Sequence, residues 1–244
     1  VTVTQGKLEG LSLTSVDLDG GADYISGTMP AGSLGSTFSV SAWVRFDAGA
    51  TGSNDYDYVI AIGNGSGGSG EHVSIGRHAN TGGHNGKWYV YDGAAALPAT
   101  TVPSSTTWHH VTVVGQPVAS GDRLAIYVNG VAESITQPAA DFAIDNTTLI
   151  IGAYAGPAHL LAGRVRDLKT FNYALSADQA SSLYSGSYNV TPTHWWKLDE
   201  GHATAALNNA SGAFEDSGTG TDADGQGVSL VAASGINGTL DLDS

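Results

Sequence analysis

Residues Leu161–Gly186 read LAGRVRDLKTFNYALSADQASSLYSG, and the reading of this stretch decides the fold. Val165, Leu168 and Phe171 form an apolar framework, while Arg164, Arg166 and Asp167 put charge inside a strand-like run. Ser176 stands where a helix N-cap belongs. Asp178 and Gln179, in the turn that follows, suit the unpaired amides and the positive end of a helix dipole. Gly186 follows Tyr184 as a C-terminal stop. The stretch reads as strand, turn and one short helix near residues 176–184, with no comparable helix signal elsewhere.

Outward from it, the chain reads as short strands. Phe38, Val40, Ala42, Val44 and Phe46 alternate with Ser39, Ser41, Trp43 and Arg45, the period-two pattern of a half-buried strand. Residues 1–16, 56–63, 73–77, 87–92, 108–114, 123–128 and 147–153 continue the series, and Asn129-Gly130 is a two-residue hairpin signal. The run GNGSGGSG at 63–70 reads as a flexible hairpin tip. Many short strands between Gly, Asn, Asp and Pro point to an all-β sandwich.

Composition agrees. The 244 residues include 34 glycines and no cysteine, which excludes disulfides and thiolate metal sites. Formal net charge is −14 with scattered positive residues, so a phosphate backbone would be repelled and no nucleic-acid partner is expected. No long apolar stretch suggests membrane insertion, and no leader or lipidation motif is read; Val1 is taken as either a processed or an artificial start, and an exported protein is expected.

Gly163, Arg164, Val165, Asp167, Leu168, Phe171, Asn172, Ala174, Leu175, Ser176, Leu183 and Tyr184 occur in the order of the closing stretch of laminin-G-like, concanavalin A-like jelly-roll domains, which this chain resembles. LDGGADYIS from Leu18, FSVSAWVRF from Phe38, WHHVTVV from Trp108 and RLAIYVNGV from Arg123 extend the resemblance over about residues 15–187. It implies a concanavalin A-like β-sandwich (jelly roll) of two antiparallel sheets with one short helix. Residues 1–190 are expected to form the laminin-G-like sandwich. Within residues 191–244, THWWKLDEG resembles the opening strand of such a domain, so the chain looks permuted or cut from an array of repeats. The extension is expected to complete its own sandwich in cis. The alternative is pairing in trans, with self-association through residues 191–244.

The resemblance also implies a cation between the turn at Asp19, Gly20 and Asp23 and the closing-strand residue Asp167. A structural calcium ion, which takes six to eight oxygen ligands, is the expected cofactor. The competing reading makes these carboxylates turn caps, with Asp167 paired to an arginine. Asp222 and Asp224 form a weaker second candidate. His72, His78 and His84 recur at six-residue spacing, with His109 and His110 further on; hydrogen-bonded histidines rather than zinc ligands are expected.

Enzyme signatures do not stand out. Retaining glycosidases of this fold resemble an E-x-D-x-x-E strand, and none of Glu9, Glu71, Glu133, Glu200 and Glu215 lies in one. No G-x-S-x-G elbow occurs, and Gly63, Gly65 and Gly68 match a nucleotide-loop pattern only between strands. Sugar binding needs aromatic faces beside polar groups. Tyr56, His84, Asn85, Trp88, Tyr91 and Asp92 are the candidate ligand set, with Tyr58 and Tyr89 nearby and Trp43 and Trp108 assigned to the core. The expected function is a non-catalytic extracellular recognition or adhesion module that binds a glycan or cell-surface polymer. Its competitors are a structural surface subunit, of filament or virion, joined through its extension, and a polysaccharide-degrading enzyme.

Overall fold

Period-two alternation buries one side of each strand, and two sheets close those sides against each other. The computed structural model describes residues 14–21, 23–29, 33–48, 56–63, 71–78, 86–117, 124–135, 137, 141–144, 148–154, 158–187, 190–198, 214–216 and 229–232. The strands are β1 (Thr14–Asp19), β2 (Ile25–Thr28), β3 (Phe38–Phe46), β4 (Tyr56–Gly63), β5 (His72–His78), β6 (Trp88–Tyr91), β7 (Ala96–Pro98) and β8 (Trp108–Gly115). They continue as β9 (Leu124–Val128), β10 (Val131–Glu133), β11 (Thr148–Ile151), β12 (Ala162–Phe171), β13 (His194–Trp196), β14 (Phe214–Asp216) and β15 (Ser229–Ala232), with helix α1 (Ala177–Ser185) after β12.

Sheet one runs β10-β9-β8-β3-β12-β1-β15, with β13 also paired to β12, and sheet two runs β14-β2-β11-β4-β5-β6-β7. Every recorded pairing is antiparallel. This is the expected all-β, two-sheet jelly roll. The core between the sheets takes Phe38, Val40, Ala42, Val44 and Phe46 from β3 and Val73, Ile75, Trp88 and Val90 from β5 and β6. Phe38 meets Phe142 edge-on at 5.2 Å. Inside this core Asp57 and Arg77 form an ion pair with N–O distances of 2.6 and 2.7 Å, and the guanidinium lies 4.4 Å from the Phe46 ring centre.

Strand β12 has different neighbours along its length. Its first half pairs with β1, from Val16↔Val165 to Asp19↔Ala162, and its second half pairs on that same side with β13, from Leu168↔Trp196 to Thr170↔His194. A bulge between Arg166 and Lys169 separates the two halves. Trp196 enters the core cluster and is 1% exposed. Strands β14 and β15 pair with β2 and β1 of the same chain.

The helix forms where the sequence places it. Ser176 caps it: its hydroxyl accepts from the Gln179 amide, and the Gln179 side chain accepts from the Ser176 amide. Gly186 ends it in the left-handed region at φ 80. Leu183 seals the helix onto the outer side of sheet one, against Val114, Phe171, Leu175 and Val190. One assignment is corrected. Trp43 and Trp108 are not core residues; they alternate with the buried Ala42, Val44 and His109 and are half-buried on the outer side of sheet one.

Removing the Trp196 side chain should cost about 3–5 kcal/mol as a large-to-small core change, against about 1 kcal/mol for the Ser176→Ala cap deletion. Denaturant titration of the two variants checks this ranking. Equal small losses would mean that β13 is not an integral part of the core.

Candidate functional site

Three adjacent strands of sheet two turn rings outward. Tyr56 and Tyr58 on β4, His72 and His78 on β5, and Tyr89 and Tyr91 on β6 alternate with core residues, and the register sets Tyr56 against His78 and Gly76 against Tyr89. Gly76 makes the close packing feasible. A Cβ there would lie 3.0 Å from the Tyr89 ring and 2.3 Å from the Asp57 carbonyl oxygen. Tyr154 and His159, after β11, bring two further rings onto the cluster. Tyr154 is 4.9 Å from Tyr58 and 5.2 Å from His72, and His159 is 5.5 Å from Tyr56.

The cluster has a buried floor and a half-exposed rim. Tyr58, His72, His78 and Tyr89 are nearly covered, whereas Tyr56, Tyr91, Tyr154 and His159 reach solvent. Burial raises the Tyr58, Tyr89 and Tyr154 phenols, which stay neutral hydrogen-bonding groups. The Tyr58 and Tyr89 rings meet edge-on at 5.4 Å, and the Tyr91 hydroxyl donates to the Gly93 carbonyl at 2.9 Å. Burial pushes the His72 imidazole down to about 4, and its Nε2 pairs with the Ser74 hydroxyl. The result is a platform of ring faces with hydroxyl and imidazole groups at their edges. Such a surface can stack on apolar faces and hydrogen-bond to hydroxyls.

Of the ligand set read from the sequence, Tyr56 and Tyr91 stand in this cluster. Trp88 does not: it lies in the core, 0% exposed and 5.4 Å from Phe46, because its parity on β6 is opposite to that of Tyr89 and Tyr91. Asp92 is also turned in. Its carboxylate accepts the Ala94 and Ala95 amides at 2.9 and 2.8 Å and caps the turn. His84, Asn85, Asp222 and Asp224 lie outside the described residues. His72, His78, Tyr154 and His159 were not in the set. The repeats Tyr-x-Tyr at 56–58 and 89–91, and the even spacing of His72 and His78, carry the signal for the strand residues.

The cation set separates into two places. Asp19, Gly20 and Asp23 do share a turn. Asp23 accepts the Asp19 amide at 3.2 Å, and Asp19 accepts the Gly21 amide at 2.6 Å. Gly20 sits at φ 77, and a Cβ there would lie 2.8 Å from that of Ala162. Asp167, however, is five residues along β12 from Ala162, the partner of Asp19, or about 16 Å at the usual strand rise. Its carboxylate is held instead by Lys169 Nζ at 2.7 Å and Trp195 Nε1 at 2.5 Å. The four-residue set therefore does not fit one calcium ion, and the partner of Asp167 is a lysine rather than an arginine. Among the described residues no three His, Asp or Glu side chains converge as metal ligands. His109 Nε2 donates to the Ser104 carbonyl oxygen at 3.0 Å.

His110, on the outer side of sheet one, is pushed down to about 3 by burial and then by Lys169. Both His72 and His110 thus bind protons less readily folded than unfolded, where 6.5 is the ordinary value. Their contribution to stability is complete above pH 6.5 and is lost as pH falls toward 4 and 3. Each can remove up to about 1.4 kcal/mol per pH unit in that window. Denaturation midpoints measured from pH 7 to pH 4 should fall, and His110→Gln should flatten the slope.

Comparison with known proteins places this geometry. Residues 19–181 match the model of the concanavalin A-like lectin/glucanases superfamily. No curated protein matches the chain in sequence. Among solved structures, a Bacteroides ovatus protein named for carbohydrate binding superposes at TM-score 0.63 with 16% identity, over 91% of this chain and 60% of its own. This chain therefore spans less than two thirds of that protein. A heptameric SAP-like pentraxin from Limulus polyphemus superposes at TM-score 0.61 with 14% identity, over 92% of this chain and 97% of its own. At these identities the likeness speaks to the fold alone. The two-sheet architecture, the order of its motifs and the family match over most of its length make the chain a member of the concanavalin A-like lectin/glucanases superfamily.

Proposed function

We propose that the protein is a non-catalytic glycan-binding module that works outside the cell, and that the outer side of sheet two is its binding face. The observation that carries this reading is the platform of Tyr56, Tyr91, Tyr154 and His159 on a buried tyrosine and histidine floor. Flat rings stack on the apolar face of a pyranose while hydroxyl and imidazole groups meet its hydroxyls. The buried floor holds the rim rings in place, so little side-chain entropy is lost on binding. Superfamily membership and the Bacteroides ovatus neighbour support the reading. Two carboxylates beside the cluster are already engaged, Asp57 with Arg77 and Asp92 with a turn, which favours binding over acid–base cleavage by them. Strands β13 to β15 pair within their own chain, which gives assembly by strand donation no support.

The calcium reading narrows to the turn of Asp19, Gly20 and Asp23, whose carboxylates and carbonyls offer the oxygen chemistry calcium takes. A bound ion there would brace the end of β1.

Titration of the protein with neutral oligosaccharides drawn from a glycan array tests the binding face. Tyr91→Ala and Tyr56→Ala should each weaken binding by about tenfold, the loss of one stacking contact, while both variants stay folded at the assay temperature. No saturable binding to any neutral glycan would overturn the reading. A chelator should lower the midpoint of the native chain but not that of Asp23→Asn; an unchanged native midpoint would remove calcium.

A further inference from the structure

The opposite outer face carries a cluster of different character. On sheet one, Arg45 of β3 pairs across to Trp108 of β8 on one side and to Arg164 of β12 on the other. The next outward row sets Trp43 between His110 and Arg166. The Arg166 guanidinium lies 4.6 Å from the Trp108 ring centre and 5.4 Å from that of Trp43. All three arginines and both tryptophans are half-buried, so each presents part of its side chain to solvent. Three of the nine basic residues in a chain of net charge −14 thus stand side by side.

Like charges set directly opposite across a strand pair repel each other. Arg164 is met by Asp17 at 3.1 and 3.3 Å. Arg45 faces a tryptophan and another arginine, and its Nε is buried with no hydrogen-bond partner. The repulsion between Arg45 and Arg164 is a cost to the sandwich, and an anionic ligand that pairs with their guanidinium groups would offset it.

We propose that Arg45, Arg164 and Arg166, flanked by Trp43 and Trp108, form a second binding site, which takes the carboxylate or sulfate groups of an acidic polysaccharide. The planar guanidinium fork matches both groups in a paired fashion. The tryptophan rings offer the apolar contact that a sugar ring can use and an inorganic anion cannot. A nucleic-acid duplex, with about one charge per 1.7 Å, is repelled more strongly by the acidic remainder of the chain than a polymer charged once per sugar. This site is on the far side of the core from the tyrosine platform and does not rest on it.

The test is calorimetric titration of the full chain with polygalacturonate, with heparin and with neutral dextran, at low and high salt. Polygalacturonate or heparin should bind, with affinity that falls as salt rises; binding of polygalacturonate shows that carboxylates suffice, and binding of heparin alone shows that sulfate is required. Arg45→Gln should weaken that binding by about tenfold or more, the loss of a charge-assisted contact. Arg45→Lys, which keeps the charge and guards against a folding defect, should recover part of it. Absence of binding by both charged polymers at low salt would overturn the proposal. So would binding that survives Arg45→Gln but is lost in Tyr91→Ala, an outcome that would move anion recognition to the other face.

Discussion

The ladder along β12 sets the terms for the rest of the sandwich. This strand pairs with β3 on one side, and on the other with β1 and then with β13. Two short strands placed end to end cannot share one unbroken ladder, and the chain resolves this with a bulge in which Asp167 takes φ 54. The bulge is fully accommodated. The Asp167 amide donates to the Lys197 carbonyl at 3.0 Å, and its carboxylate takes Lys169 and the Trp195 indole. The extra residue also resets parity: Val165 and Leu168 both face the core, while Arg166 and Lys169 both face out. A carboxylate so placed holds two strands together, which is why it is no partner for the distant Asp19 turn.

The same period-two geometry produces two outer faces of unlike chemistry. Sheet two presents neutral rings, because burial disfavours charge on its phenols and on His72. Sheet one presents arginines and tryptophans beside helix α1, with Tyr184 packed 5.8 Å from Trp43. Between them the core holds its one described arginine–aspartate pair, Arg77 with Asp57, whose two ends are both nearly covered. A pair of this kind adds little net stability, but loss of either partner would strand a buried charge. It therefore pins the relative register of β4 and β5, on which the tyrosine platform stands.

Much of the fold was legible in the residues themselves. Alternation marked β3 and its neighbours, Asn129-Gly130 marked the hairpin between β9 and β10, and Ser176, Gln179 and Gly186 bounded the helix. Part of the candidate face was legible too, since Tyr56 and Tyr91 belong to it. Trp88 was misplaced because a strand's alternation says which residues share a side without saying which side is buried. Trp43 and Trp108 were misplaced for the converse reason: size and hydrophobicity suggest a core, but their partners Arg45, Arg164 and Arg166 keep that side wet.

Sequence alone therefore determined the class of fold, the position of its helix and the family to which it belongs, because local periodicity and capping depend on residues a few positions apart. Tertiary structure decided the contacts between residues far apart in the chain. It brought Tyr154 and His159 to Tyr58 and Tyr56, and it drew Asp167 to Trp195 and away from Asp19. It also set Arg45 against Arg164. Those juxtapositions depend on strand register and on a single bulge, and a one-residue shift in either would turn every side chain beyond it to the opposite face.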